Sequence, residues 1–234
     1  MKKNVMMRVA AILLVCVLAS TCGISGTFAK YVTEKSATDS ARVAHWGVEV
    51  VVTGDDAFNT KYDGTPSAEN TDSVTVKSST SMNLVAPGTD GTLATIDVTG
   101  SPEVDATIEV VADITISDWL IDHDGNGVAD YYYCPLVVTV GATKLIGNTY
   151  ANAEAFATAI EEAINGYSKY YNAHNDTALN IDLDITWEWN FTANAVDVEQ
   201  TDVLDTILGD KAANLGDAAD SISLALTVTV TQVD

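Results

Sequence analysis

The stretch whose residue types and spacing come closest to chemistry is Asp122-His123-Asp124-Gly125-Asn126-Gly127-Val128-Ala129-Asp130. A calcium ion gathers about six to eight oxygens around one point, and a tight loop can supply them from alternate positions. Here Asp122, Asp124 and Asn126 would offer side-chain oxygens, Val128 its carbonyl, and Asp130 a direct or water-bridged contact. Gly127 falls where such a loop turns sharply. Tyr133 stands at the twelfth position, where a bidentate Glu ordinarily closes the shell. The spacing therefore predicts weak calcium binding with a structural role. The plainer reading is an Asp/Gly-rich connection between two strands.

Other chemistry finds less support. His45, His123 and His174 are far apart and no His-Glu-x-x-His helix occurs, so zinc is not expected. There is no Gly-x-Ser-x-Gly elbow, and Cys134 has no recognisable catalytic partner. The carboxylates are too scattered to pair for glycoside hydrolysis. Trp187 and Trp189 could form a carbohydrate platform, but they continue the apolar row of Ile181, Leu183 and Ile185, which predicts core packing. The chain reads as a non-enzyme.

The elements that must hold the loop are strands. Val104, Ala106, Ile108, Val110, Ala112, Ile114 and Ile116 alternate with mostly polar residues, the pattern of a strand buried on one face. The pattern returns from Ile181 to Phe191 and from Ile222 to Val230. Shorter strands are expected at 48–52, 74–78, 81–85 and 92–99, with a turn at Ala86-Pro87-Gly88. Residues 55–72 read as a long loop, and 131–140 with 143–147 as a hairpin about Gly141-Ala142. Phe156, Ala159, Ile160, Ala163, Ile164 and Tyr167 fall at helical spacing behind Asn152, a fitting N-cap. A second, short helix is expected at 202–208, capped by Thr201 and stopped by Gly209. Together these predict an all-β fold, an antiparallel jelly-roll-like β-sandwich over residues 44–234 with one inserted amphipathic helix.

Upstream, Lys2, Lys3 and Arg8 precede an apolar run, Val9 to Ala19, that is short for a membrane span. Residues 1–29 read as a secretory signal, cleaved after Ala29 with Thr27 at −3; an uncleaved anchor over Val9 to Ala29 is the alternative. Of 11 basic residues, those three would leave with the signal, and the remaining eight face 33 acidic ones, a net charge of −25. Such a surface repels nucleic acid and anionic lipid. Cys16 and Cys22 lie in the export segment, so the mature chain keeps Cys134 alone and forms no internal disulfide. Residues 30–43 are polar and precede the first strand.

The signal, the polar leader, the turn L-V-A-P-G-T-D-G at Leu84 to Gly91 and the strand pattern resemble the TasA/camelysin family of exported Firmicutes proteins. Ser36 to Ala44, Trp187-Glu188-Trp189 and the final V-T-V-T-Q-V-D look like a clostridial-type branch. The post-signal residues, the inserted helix and the Asp-rich loop depart from the fibre-forming members. The resemblance implies a secreted structural subunit of cell-surface or biofilm matrix fibres. Its partner would be itself, head to tail, or a related matrix subunit. It implies that the segment freed by signal cleavage completes a neighbour's sheet. In this chain the donor would be 30–43, with Lys30, Tyr31, Val32, Ala37, Ala41 and Val43 as candidate contacts. The competing reading is a monomeric, calcium-stabilised adhesin or binding module. A protease, which the camelysin resemblance also suggests, lacks its metal motif. The chain closes in a strand at Asp234, so covalent attachment to a cell wall is not expected.

Overall fold

The computed structural model describes residues 41–54, 57–64, 74–78, 82–191, 198–216 and 219–233. All but Ala41 and Arg42 of these belong to one compact unit, Val43–Asp234. The expected signal, 1–29, and most of the leader lie outside the described residues. The strands are β1 (Val48–Thr53), β2 (Lys61–Gly64), β3 (Val74–Lys77), β4 (Asp90–Gly100), β5 (Ala106–Ile116) and β6 (Leu120–Ile121). After them come β7 (Tyr131–Tyr132), β8 (Leu136–Val140), β9 (Thr143–Ile146), β10 (Lys169–Tyr171), β11 (Leu179–Trp189) and β12 (Ile222–Gln232). Two α-helices interrupt them, α1 (Ala153–Asn165) and α2 (Val198–Leu215).

The strands form a five-stranded sheet in the order β1-β4-β11-β8-β9 and a three-stranded sheet in the order β10-β5-β12, with two small hairpins, β2–β3 and β6–β7. Every pairing is antiparallel. The chain is an all-β antiparallel sandwich with an inserted helix, the class its alternation predicts. The jelly-roll winding is a finer expectation than these pairings carry.

Alternation positions the core. Ala106, Ile108, Val110, Ala112 and Ile114 of β5 are buried, as are Leu179, Ile181, Leu183, Ile185, Trp187 and Trp189 of β11. Both rows belong to one cluster. Each large aliphatic side chain so buried contributes about 1.5–3 kcal/mol. The β4–β11 register slips between Ile185 and Thr186, because Ile185 faces Ala94 while Thr186 faces Thr92. Leu93 is therefore an extra residue, and adjacent Leu93 and Ala94 are both buried.

Helix α1 begins where Asn152 accepts a hydrogen bond from the Ala155 amide, and it buries Ala153, Phe156, Ala157, Ile160 and Ile164. Polar side chains on and just after it reach β5. Glu161, Asn165 and Ser168 accept from the backbone amides of Ile114, Ala112 and Val110 at 2.9, 3.0 and 2.8 Å. Beyond them β10 pairs with Ala106 to Ile108. Side chains at helical spacing thus satisfy amides at strand spacing, and that edge of the sheet is closed.

Several expectations need correction. The 55–72 loop contains a strand, because Lys61–Gly64 pairs with Val74–Lys77. Trp187 fixes the approach to it: its indole donates to the Ala57 carbonyl at 2.8 Å and its ring packs on Phe58 and Tyr62. Leu84, expected in a strand, makes only an isolated bridge to Asn59. The 131–140 strand is broken between β7 and β8, where Pro135 lacks an amide for the ladder. The second helix is 18 residues long, not seven, with Thr201 buried inside it and not capping it. Gly209 does not stop it, since one glycine costs only about 1 kcal/mol and Leu204 and Leu208 anchor the helix before it. The stop is Gly216, at φ +56°.

Candidate functional site

The Asp-rich loop spans the tip of the β6–β7 hairpin, closed by the Asp130 amide donating to the Ile121 carbonyl at 3.1 Å. Gly125 and Gly127 take φ +71° and +85°, the left-handed values that let the loop curl. The curl turns amides onto side-chain oxygens. The Asn126 and Gly127 amides donate to Asp122 at 3.1 and 2.7 Å, and Asn126 also donates to Asp124 through its amide (3.0 Å) and Nδ2 (2.8 Å). The Val128 amide donates to Asn126 Oδ1 at 2.8 Å. These donors, the Gly127 amide foremost, hold the Asp122 carboxyl below the usual range, so it stays ionised.

Asp122, Asp124 and Asn126 are therefore brought together by these hydrogen bonds, and the Val128 side chain is exposed. Among the described residues no three or more His, Cys, Asp or Glu side chains are gathered where they could hold a metal ion. The oxygens of Asp122, Asp124 and Asn126 already accept from the loop's own donors. Position twelve turns the other way: Tyr133 is buried, and its hydroxyl donates to Asp205 of α2 at 2.6 Å.

That contact is part of a joint absent from the sequence expectations. Trp189 also donates its indole N–H to Asp205, at 3.4 Å. Trp119, buried at φ +47°, packs its ring 6.0 Å from Trp189 and donates to Asp220 Oδ1 and the Ser221 carbonyl, both at 3.2 Å. From α2, Lys211 pairs with Asp220 at 2.6 Å and donates to the Leu120 carbonyl at 2.7 Å. Helix α2 is thus tied to the sandwich by polar contacts at two of its turns. No short-range signal could have found them, because the partners come from four separate segments.

Burial pushes the Asp205 carboxyl up to about 6; Tyr133 and Trp189 lower it in part, and the Asp202 charge raises it. A folded pKa above the unfolded value means stability present at acid pH and lost as pH rises through about 6. Asp205→Asn keeps an acceptor for Tyr133 and removes the charge. Thermal melts at pH 5 and pH 8 check this. The wild type loses about 1–2 kcal/mol between them, allowing for solvent screening, and the variant loses markedly less.

Of the expected donor residues, Lys30, Tyr31, Val32 and Ala37 lie outside the described residues. Ala41 and Val43 are exposed and belong to no strand. Residues 41–47 lead into β1, the outermost strand of its sheet, with the His45 amide donating to Glu103 at 2.8 Å. On β1 Val50, Val51 and Val52 are exposed. No family model, curated protein or solved structure matches this chain. Cys134 is a buried core residue, and burial pushes its thiol up to about 12, so it is inert as a nucleophile. No described helix is long and apolar enough to cross a membrane.

Proposed function

We propose that the chain is an exported, non-enzymatic structural subunit of cell-surface or biofilm matrix fibres, and that residues 30–43 of one copy add a strand to the next. The observation that carries this reading is the way the chain enters its fold. Residues 43–47 are exposed, lie in no strand, and lead into a strand at the sheet periphery, which suits a leader that pairs with a neighbouring copy. Charge supports it. Lys30, Lys35 and Arg42 against Glu34 and Asp39 give 30–43 a net +1, while 44–234 holds five basic and 31 acidic residues, a net −26. The negative charge of the domain as a whole attracts such a segment, and backbone pairing at an edge strand would hold it. A head-to-tail contact does not close and so propagates. The resemblance to the TasA/camelysin family points the same way. Sedimentation of the chain from Lys30 onward, with and without 30–41, tests it. Large, salt-sensitive assemblies are expected only when the leader is present.

A second reading, the calcium-stabilised adhesin or binding module, draws support from the ionised Asp122 and the curled Asp124–Asn126 turn. Under it, millimolar calcium raises the melting temperature by a few degrees and Asp124→Asn abolishes the rise. An unchanged melting temperature removes this reading.

A further inference from the structure

We infer that β12 is a second, leader-independent interface, by which two copies of this chain pair edge to edge about a two-fold axis. Among the described residues β12 pairs only with β5, through 11 residues in unbroken register. Its row Leu224, Leu226, Val228 and Val230 lies opposite Ile114, Ala112, Val110 and Ile108 on the same face. On β5 that row is buried; on β12 it is half-exposed, so among the described residues the sheet's apolar face runs out at this edge.

Sheet edges are normally protected by charge, proline, a bulge or a covering helix. The opposite edge of this same sheet is closed by α1 and β10. Of the four edge strands of the two larger sheets, β1 carries Glu49, β9 carries Lys144 and β10 carries Lys169. Only β12, Ile-Ser-Leu-Ala-Leu-Thr-Val-Thr-Val-Thr-Gln, has no charge and no proline, and its register has no bulge. An 11-residue strand of this kind is about 37 Å of open ladder.

The occupant that fits is the same strand of a second copy. The leader does not suit this edge. Lys35 and Asp39 fall in one of its alternate rows and Lys30, Glu34 and Arg42 in the other, so covering the apolar row would bury a charge either way. Directly opposed residues of an antiparallel pair share a face. With the axis at Thr227, Leu226 meets Val228 and Leu224 meets Val230, and each apolar row continues into its copy. At a net charge of −25 without the signal, two bodies repel, and this uncharged strip lets them approach without setting carboxylate against carboxylate.

Cysteine scanning on the chain from Lys30 onward tests this, since its native thiol, Cys134, is buried. Ser223, Ala225, Thr227 and Thr229 are exposed and each becomes cysteine in turn. Mild oxidation should give a covalent dimer strongly at one or two neighbouring positions, centred on Thr227, and weakly elsewhere, because each cysteine meets its own copy within disulfide reach only near the axis. Equal crosslinking at all four positions, or none at any, overturns the proposal. As a second measurement, Thr227→Lys with Thr229→Lys should weaken dimerisation at least tenfold with the melting temperature unchanged; a dimer indifferent to both lysines also overturns it. The crosslink does not require the leader, so loss of fibres with the crosslink retained counts against strand donation alone.

Discussion

Trp119→Ala lowers the unfolding free energy by about 3–5 kcal/mol, the largest effect expected of a single substitution in this chain. The indole is 1% exposed, packs on Trp189, and its N–H donates to the Ser221 carbonyl. Truncation opens a cavity where the β6 hairpin, the joint of α2 and the start of β12 meet. The backbone adds a second, sharper expectation. Trp119 is the one described non-glycine residue at positive φ, +47°, a conformation that costs an alanine as much as a tryptophan. Trp119→Gly removes the same side chain and relieves that strain, so it should unfold at a urea concentration no lower than Trp119→Ala. Elsewhere glycine is ordinarily the worse of the two by about 1 kcal/mol. A loss below about 1 kcal/mol for Trp119→Ala would show that the site collapses around the missing ring.

Gly91→Ala is expected to cost about 2–3 kcal/mol although it adds one methyl group. A Cβ at Gly91 would lie 2.7 Å from the Ala57 carbonyl oxygen and 2.8 Å from the Trp187 indole nitrogen, two atoms hydrogen-bonded to each other. The methyl must part them. That frees the segment around Phe58 and Tyr62, whose rings rest on Trp187. Urea unfolding gives the energy, and limited proteolysis gives the place, with faster cutting near 57–64. Gly209→Ala is the control. Nothing lies within 4 Å of its added Cβ, and it sits inside α2, so it stabilises by roughly 0.5–1 kcal/mol.

The long strands and the first helix were legible because their signal is local. Half-burial imposes a two-residue period on β5 and β11, and a 3.6-residue period on α1, whatever lies opposite. The Asn152 cap was legible for the same reason, since its acceptor and donor are three residues apart. The Asp-rich loop was legible as a loop between strands, because its Asp, Asn and Gly residues favour the turn that joins β6 to β7. The contacts behind the hairpin were not legible, because Tyr133 meets Asp205 across a gap in the chain that no spacing connects. Strands β2, β6 and β10 are two to four residues long, too short for a period, and exist because a distant partner selects them. Gly209 and Gly216 make the point in miniature. Both look like helix stops, and only packing by Leu204 and Leu208 decides between them.

The central claim, that residues 30–43 join one subunit to the next, is tested most directly by electron microscopy of the protein processed to Lys30, beside the same protein lacking 30–41. The account predicts filaments in the first and none in the second, with both folded by circular dichroism. Filaments of the same width and repeat from the truncated protein would contradict it.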